Sequence, residues 1–174
     1  MFKNLFFFHF ILMLFSGAVL ANDFDSEPNH ASYYIGAEVG TDGHAFPFNV
    51  FGGYGKTVGE SANYYLGWEA TAYAVPAHNG TASLYGIGLS FIPGIWLTPT
   101  TLGYLRAGAL VAKLNSPNQT HIGDQFGLGL QFQLTKNCDL RSEYIFREYN
   151  SLHNIDTSHT IDSNEVDFGL VYKF

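Results

Sequence analysis

Cysteine, charge and long apolar runs are all scarce in this chain, and each scarcity closes off a class of protein. Cys138 is the only cysteine among 174 residues, so neither an intramolecular disulfide nor a thiolate metal centre can be assembled, and it reads as an incidental turn residue. Charged residues make up 13% of the chain, about half the usual share for a soluble domain. Eight basic residues stand against fifteen acidic ones, a formal charge of −7. No Lys/Arg cluster occurs, which excludes a nucleic-acid footprint. Past the N-terminus no run approaches the roughly 20 apolar residues that a spanning helix requires. What the chain has instead is aromatic residues, at 17%, and 19 glycines. A mean hydropathy near zero fits a barrel, where apolar character is hidden by alternation.

The first segment carries Lys3, the apolar run from Leu5 to Phe15, and Val19-Leu20-Ala21 with compact residues at the cleavage-defining positions. This is the pattern of a removable secretory signal peptide over residues 1–21. No cysteine follows the site, which argues against a lipoprotein. A short polar segment, 22–31, then leads into a single domain, 32–174, in which stretches of about 10 to 13 residues alternate apolar with small or polar side chains.

The last stretch shows the alternation best. Val166, Phe168, Leu170, Tyr172 and Phe174 fall on one face, and Asp167, Gly169, Val171 and Lys173 on the other. A period of two puts these sets on opposite faces of a strand, one suited to lipid and one to a polar interior. Tyr64, Leu66, Trp68 and Ala70 oppose Tyr65, Gly67, Glu69 and Thr71 in the same way, as do Phe126, Leu128, Leu130, Phe132 and Leu134 against Gly127, Gly129, Gln131 and Gln133. Strands are predicted at Ser32–Gly40, Phe46–Thr57, Ala62–Val75, Ala82–Trp96, Thr101–Lys113, His121–Leu134, Asp139–Tyr149 and Asn164–Phe174. The expected fold is therefore all-β: an eight-stranded, antiparallel, up-and-down transmembrane β-barrel in a bacterial outer membrane.

Connections of unequal length give the barrel a direction. Residues 58–61, 97–100 and 135–138 are compact and turn-like, whereas 76–81, 114–120 and 151–163 are mostly longer and polar. Short turns belong on the periplasmic side, which places both chain ends there. A soluble ligand-binding barrel would reverse the code and turn the apolar face inward. Periodicity alone leaves both readings open, and the signal peptide with the aromatic richness selects the membrane. Tyr33, Tyr34, Tyr54, Tyr64, Trp96, Tyr104, Tyr149 and Tyr172, near predicted strand ends, are candidates for interfacial girdles.

Glu38, Glu69, Arg106, Arg141, Glu143, Arg147, Asp167 and Lys173 all fall opposite the most apolar positions of their strands. In a membrane barrel these four acids and four bases form a nearly neutral network in a lumen little wider than its own side chains.

Several segments carry a family resemblance. Tyr33-Tyr34-Ile35-Gly36-Ala37 looks like a first strand, Phe51-Gly52-Gly53-Tyr54-Gly55 with Tyr65-Leu66-Gly67-Trp68-Glu69 like a second hairpin, and Arg141-Ser142-Glu143-Tyr144 like a seventh strand of the outer membrane protein A family and related small surface-antigen barrels. The ending, with Phe168, Leu170, Tyr172 and Phe174, resembles the C-terminal signal read by barrel-assembly machinery. The resemblance implies a charge-plugged barrel that serves envelope integrity and surface contacts, with Glu69 and Arg141 at lumen positions that pair in that family. Gln131 stands where a further lumen carboxylate is expected, and the fourth strand lacks the family's lysine. No peptidoglycan-binding domain follows Phe174, so the resemblance carries no cell-wall anchoring.

Chemistry beyond this is thin. A hydrolase needs a nucleophile with a histidine in reach and an orienting carboxylate. The one His-x-Ser spacing, His30-Ala31-Ser32, precedes the first strand, and Ser142-Glu143 has no histidine beside it. His44, His78, His121, His153 and His159 gather in or beside predicted extracellular loops, where imidazoles can ligate metal or sense pH, but no His-x-His or His-x3-His spacing supports a site. The expectation is a protein without catalytic residues, metal or cofactor. Its partners are outer-membrane lipid and lipopolysaccharide, the assembly machinery, and a host or surface ligand for the loops. The competing functions are a narrow ion-conducting pore, opened by breaking the Glu69–Arg141 pair, and a lipid-modifying enzyme.

Overall fold

The computed structural model describes residues 31–43, 45–59, 63–76, 83–115, 118–151 and 161–174. The expected signal peptide and the polar segment through His30 lie outside the described residues. Eight strands follow one another: β1 (Ala31–Thr41), β2 (Phe48–Val58), β3 (Tyr64–Val75), β4 (Leu84–Thr98), β5 (Thr101–Asn115), β6 (Asn118–Gln133), β7 (Cys138–Ser151) and β8 (Ile161–Lys173). Each pairs antiparallel with its sequence neighbour, and β1 closes on β8 through a register running from Tyr34↔Lys173 to Thr41↔Val166. Closure removes every sheet edge, which is the condition for strands to cross a bilayer.

The period-two code sorts the side chains as expected. Ile87, Leu105, Phe126, Leu128 and Leu170 project outward and exposed, while the alternate residues turn into the lumen. A soluble barrel with this side-chain distribution would present a broad apolar exterior to water, far beyond the patches soluble proteins carry. The same surface satisfied by lipid needs no other partner. In the lumen, aromatic rings lie against glycines on neighbouring strands: a Cβ at Gly129 would collide with the Tyr104 ring, and one at Gly86 with Tyr73.

At the end of the barrel where β1 begins and β8 ends, the described connections are tight. Gly59 takes a positive φ of 99° after β2, and only Pro99 and Thr100 separate β4 from β5. Between β6 and β7, Thr135 Oγ1 accepts hydrogen bonds from the Asn137 and Cys138 amides (3.3 and 3.0 Å). Asn137 Nδ2 donates to the Lys173 carbonyl (2.9 Å), and the Phe174 amide donates to the Tyr33 carbonyl (3.0 Å). The barrel is thus sealed through its last residue. Pro93 interrupts the ladder: β4–β5 pairing stops at Phe91↔Ala107 and resumes at Gly94↔Tyr104, as expected where proline supplies no N–H.

Two expectations are corrected. Of residues 114–120, the described ones, 114–115 and 118–120, belong to strands rather than to a loop. β5 runs to Asn115 and β6 resumes at Asn118, with Asn115 opposite Asn118, because polar residues remain acceptable on a ladder that continues beyond the apolar band. The girdle is also smaller than predicted. Tyr33, Tyr54, Tyr64 and Tyr172 project outward, but Tyr34, Tyr104 and Tyr149 are buried in the lumen, and half-buried Trp96 donates its indole N–H inward to Thr57 Oγ1 (3.2 Å). Parity along the strand, not nearness to its end, decides the face.

Candidate functional site

The lumen is filled by a continuous polar network rising along the barrel. At its centre, four side chains of alternating charge link β7, β5, β3 and β7 again. Glu143 Oε1 accepts from Arg106 Nε at 2.6 Å, Arg106 Nη2 donates to Glu69 Oε1 at 2.5 Å, and Arg141 Nη1 donates to Glu69 Oε2 at 2.7 Å. Arg106 Nη2 also reaches Glu143 Oε2 at 3.0 Å. Tyr34 donates to Glu69 (3.2 Å) and Tyr104 to Glu143 (3.1 Å). The guanidinium of Arg141 lies over the rings of Phe51, Tyr104 and Tyr34, at 4.3, 5.3 and 5.7 Å from their centroids. A charged plane held between rings and carboxylates is the arrangement in which arginine excels.

Above this layer Arg147 pairs with Glu165 and lies over the Tyr73 ring (4.7 Å). Asn49 ties in Asp167: its Nδ2 donates to Asp167 Oδ2 at 2.6 Å, and its Oδ1 accepts from Arg147 Nη2 at 3.4 Å. Ser90 and Gln125 join the two layers. Ser90 Oγ accepts from Gln125 Nε2 (2.7 Å) and Arg106 Nη1 (3.4 Å), and Gln125 Oε1 accepts from Arg147 Nε (3.4 Å). At the end where β1 begins and β8 ends, Lys173 Nζ stands 2.8 Å from Asp139 Oδ1. Gln131 donates to Asp139 (2.6 Å) and accepts from Arg141 (3.0 Å).

All eight charged residues singled out in the sequence therefore face the lumen, in three groups: Glu38, Glu69, Arg106, Arg141 and Glu143 at the centre, Arg147 and Asp167 above, Lys173 below. Seven are fully buried, and the Lys173 side chain keeps 20% exposure. Reading the sequence missed Glu165 and Asp139, although parity was sufficient to find both. Glu165 shares its face with Asp167, and Asp139 shares its face with Arg141. Their addition changes the balance from four acids against four bases to six against four. Ser90, Gln125 and Asn49 carried no sequence signal, since neutral polar residues occur on either face.

Of the five loop-region histidines, His44, His78, His153 and His159 lie outside the described residues. His121 sits within β6 and points inward at 3% exposure, with neither ring nitrogen hydrogen-bonded. His30 of the His-x-Ser spacing is likewise outside the described residues, and Ser142 and Glu143 point to opposite faces of β7. Among the described residues no group of three or more His, Cys, Asp or Glu could hold a metal ion. Phe168, Leu170, Tyr172 and Phe174 all project outward, with Tyr172 and Phe174 edge to face at 5.3 Å between ring centroids.

A closed antiparallel eight-stranded barrel with a lipid-suited exterior and a charged interior is a form shared by many outer-membrane proteins. The family model for the OmpA-like transmembrane domain matches residues 21–174. The chain belongs to that family. This OmpA-like chain is therefore a transmembrane barrel of the outer membrane. It is similar in fold to Neisserial surface protein A (22% identity, TM-score 0.58, covering 83% of this chain and 99% of that one). It is also similar to Ail, the attachment invasion locus protein of Yersinia pestis (16% identity, TM-score 0.54, 84% and 99% covered). The outer membrane enzyme PagL shares the fold as well (15% identity, TM-score 0.54, 78% and 97% covered). Comparison with curated proteins gives no match. At these identities the likeness is one of fold.

Proposed function

We propose that this OmpA-like barrel is a non-enzymatic scaffold whose lumen is a permanent charged plug, and that it acts through its extracellular loops in surface interaction of the adhesion type and in envelope integrity. One observation carries the reading. The Glu143–Arg106–Glu69–Arg141 chain crosses the lumen with every member buried. Glu69 is held by two arginines, so releasing Arg141 alone leaves Arg106 in place, which weighs against a pore gated by that single pair. With its interior filled, the barrel meets other molecules through its lipid face and the loops at the ends of its strands, where recognition collects on rigid scaffolds.

The orientation belongs to the same reading: both chain ends and the tight turns face the periplasm, and the connections after β1, β3, β5 and β7 face outward. The partners are outer-membrane lipid and lipopolysaccharide around the barrel, a host or other surface ligand at the loops, and the assembly machinery at the outward row Phe168, Leu170, Tyr172 and Phe174. The attachment role in the name of Ail supports the surface reading by analogy of fold.

The test replaces residues 77–82 and 152–160 with short Gly/Ser linkers. Cells carrying the native barrel should bind host-cell surfaces or matrix more strongly than cells carrying the linker form, at equal outer-membrane abundance. Equal binding by both forms refutes the loop role. Single-channel steps in planar bilayers that vary with Glu69→Ala and Arg141→Ala would point to the pore, and lipid A of altered mass in expressing cells would point to the enzyme.

A further inference from the structure

The outer surface of the wall is not uniform at the end that the orientation proposed above makes extracellular. Between β1 and β2 the chain turns tightly there. The Gly40 amide donates to the Pro47 carbonyl (2.9 Å), the Gly43 amide to Thr41 Oγ1 (3.1 Å) and the Ala45 amide to Asp42 Oδ1 (2.6 Å), and Gly43 takes a positive φ of 88°. The alternation of β2 continues into this turn: Ala45 and Pro47 are buried, whereas Phe46 is 71% exposed. Phe46 thereby heads an outward column with Phe48 and Val50, beside exposed Val39 on β1. Among the described residues at this end, the outward charges Lys113, Asp124 and Glu148 stand on β5, β6 and β7, and none stands on β1 to β4.

The register sets the heights. Followed once around the wall, a row of paired residues leaves β8 at Lys173 and returns to it at Ser163, ten residues nearer the same end. With strands about 4.8 Å apart and tilted by about 40°, each step from β1 towards β8 climbs about 3 Å. Another such row joins Phe48 through Ala74 and Tyr85 to Lys113, three steps on. Phe46 and Asn115 each lie two residues beyond that row, so Asn115 stands roughly 9 Å higher than Phe46. The β5–β6 ladder outruns the apolar band, with Lys113, Asn115 and Thr120 exposed on it. The β1–β2 turn ends in apolar surface instead.

We propose that the β1–β2 turn is a lipid-binding foot, in which Phe46 inserts among the acyl chains of the outer leaflet. Its surface is continuous with the lipid-facing column below it, so the chains that cover Val50 and Phe48 cover Phe46 as well, and its large apolar area leaves water. The hydrogen-bonded turn fixes the ring in that position. One side of the barrel mouth thus lies in the membrane, while the β5–β6 hairpin opposite stands in water, and recognition is left to the taller side. The inference rests on the proposed orientation of the barrel and not on the identity of any ligand for the loops.

The test places single nitroxide labels on the full-length barrel folded in phospholipid vesicles, using Phe46→Cys, Leu128→Cys and Asn115→Cys, each with Cys138→Ser. The label at 46 should collide more with oxygen, which concentrates in lipid, than with a water-soluble nickel chelate, as the label at lipid-facing 128 does. The label at 115 should show the reverse. Phe46→Trp, in a chain with Trp68→Phe and Trp96→Phe, keeps a ring at the site, and brominated acyl chains should remove most of its emission while aqueous iodide removes little. Preferential access of nickel or iodide to position 46 places the turn in water and overturns the proposal. Shielding from both kinds of reagent means that protein covers Phe46 and overturns lipid as the occupant. On intact cells a membrane-impermeant maleimide should label Asn115→Cys. No labelling there refutes the orientation, and with it the outer leaflet, whereas immersion of the turn is read separately from the collisions and the quenching.

Discussion

Arg106 is the side chain on which the lumen network should depend most. It donates to Glu143 through Nε and Nη2 and to Glu69 through Nη2, and it reaches Ser90 through Nη1. Arg106→Met keeps the length and removes the charge. Glu69 then retains Arg141 and Tyr34, but Glu143 keeps only the Tyr104 hydroxyl. Each carboxylate hydrogen bond to a charged donor is worth about 1.5–3 kcal/mol, and leaving one buried partner uncompensated costs about 3–5 kcal/mol. The expected destabilisation is therefore about 3–5 kcal/mol. Urea unfolding in thin-bilayer vesicles, followed by tryptophan fluorescence, would measure it. Glu143→Gln alone should also destabilise, whereas the double variant should cost much less than the sum, because the second change removes the charge that the first left stranded. A cost for Arg106→Met below about 1 kcal/mol, or strict additivity in the cycle, would show that water or relaxation compensates and would refute the argument.

Other outcomes follow from the two faces of the wall. Leu128 projects outward between Leu105 and Tyr144, and Leu128→Arg should cost about 2–4 kcal/mol in vesicle unfolding, against almost nothing for Leu128→Ile. Gly129→Leu drives a side chain into the Tyr104 ring and should destabilise by about 1–3 kcal/mol, as overpacking does; Tyr104→Ala in the same chain should recover part of the folding yield, and no recovery would place the clash elsewhere. Removing Phe174, which projects outward and whose amide bonds Tyr33, should lower outer-membrane abundance in cells while refolding from urea into detergent stays near native. Equal losses in both assays would mean that the residue serves stability rather than assembly.

Much of the fold was legible because a strand's period is two. Phe126 to Leu134 on one face and Gly127 to Gln133 on the other identified both the strand and its membrane side, and the same parity put all eight chosen charges inward. Where that rule was not applied, the reading failed. Tyr34, Tyr104 and Tyr149 were assigned to a girdle by their nearness to strand ends, although Tyr34 shares parity with Glu38, Tyr104 with Arg106, and Tyr149 with Arg147. Glu165 and Asp139 were overlooked for the same reason. The connection at 114–120 was misjudged because polar composition marks water, and a strand that outruns the bilayer meets water without ending.

The amino-acid sequence alone determined the eight strands and their two faces, since alternation and the placing of turns depend only on neighbours along the chain. Only the tertiary structure decided who meets whom across the lumen. Arg106 reaches Glu69 and Glu143 at a sequence distance of 37 residues each, and Asn49 reaches Asp167 across 118. Those meetings depend on strand stagger and on the closing register of β1 with β8, which no local pattern encodes. With Gly169 paired to Glu38 on one side and to Arg141 on the other, the register brings those two side chains within 3.9 Å of each other.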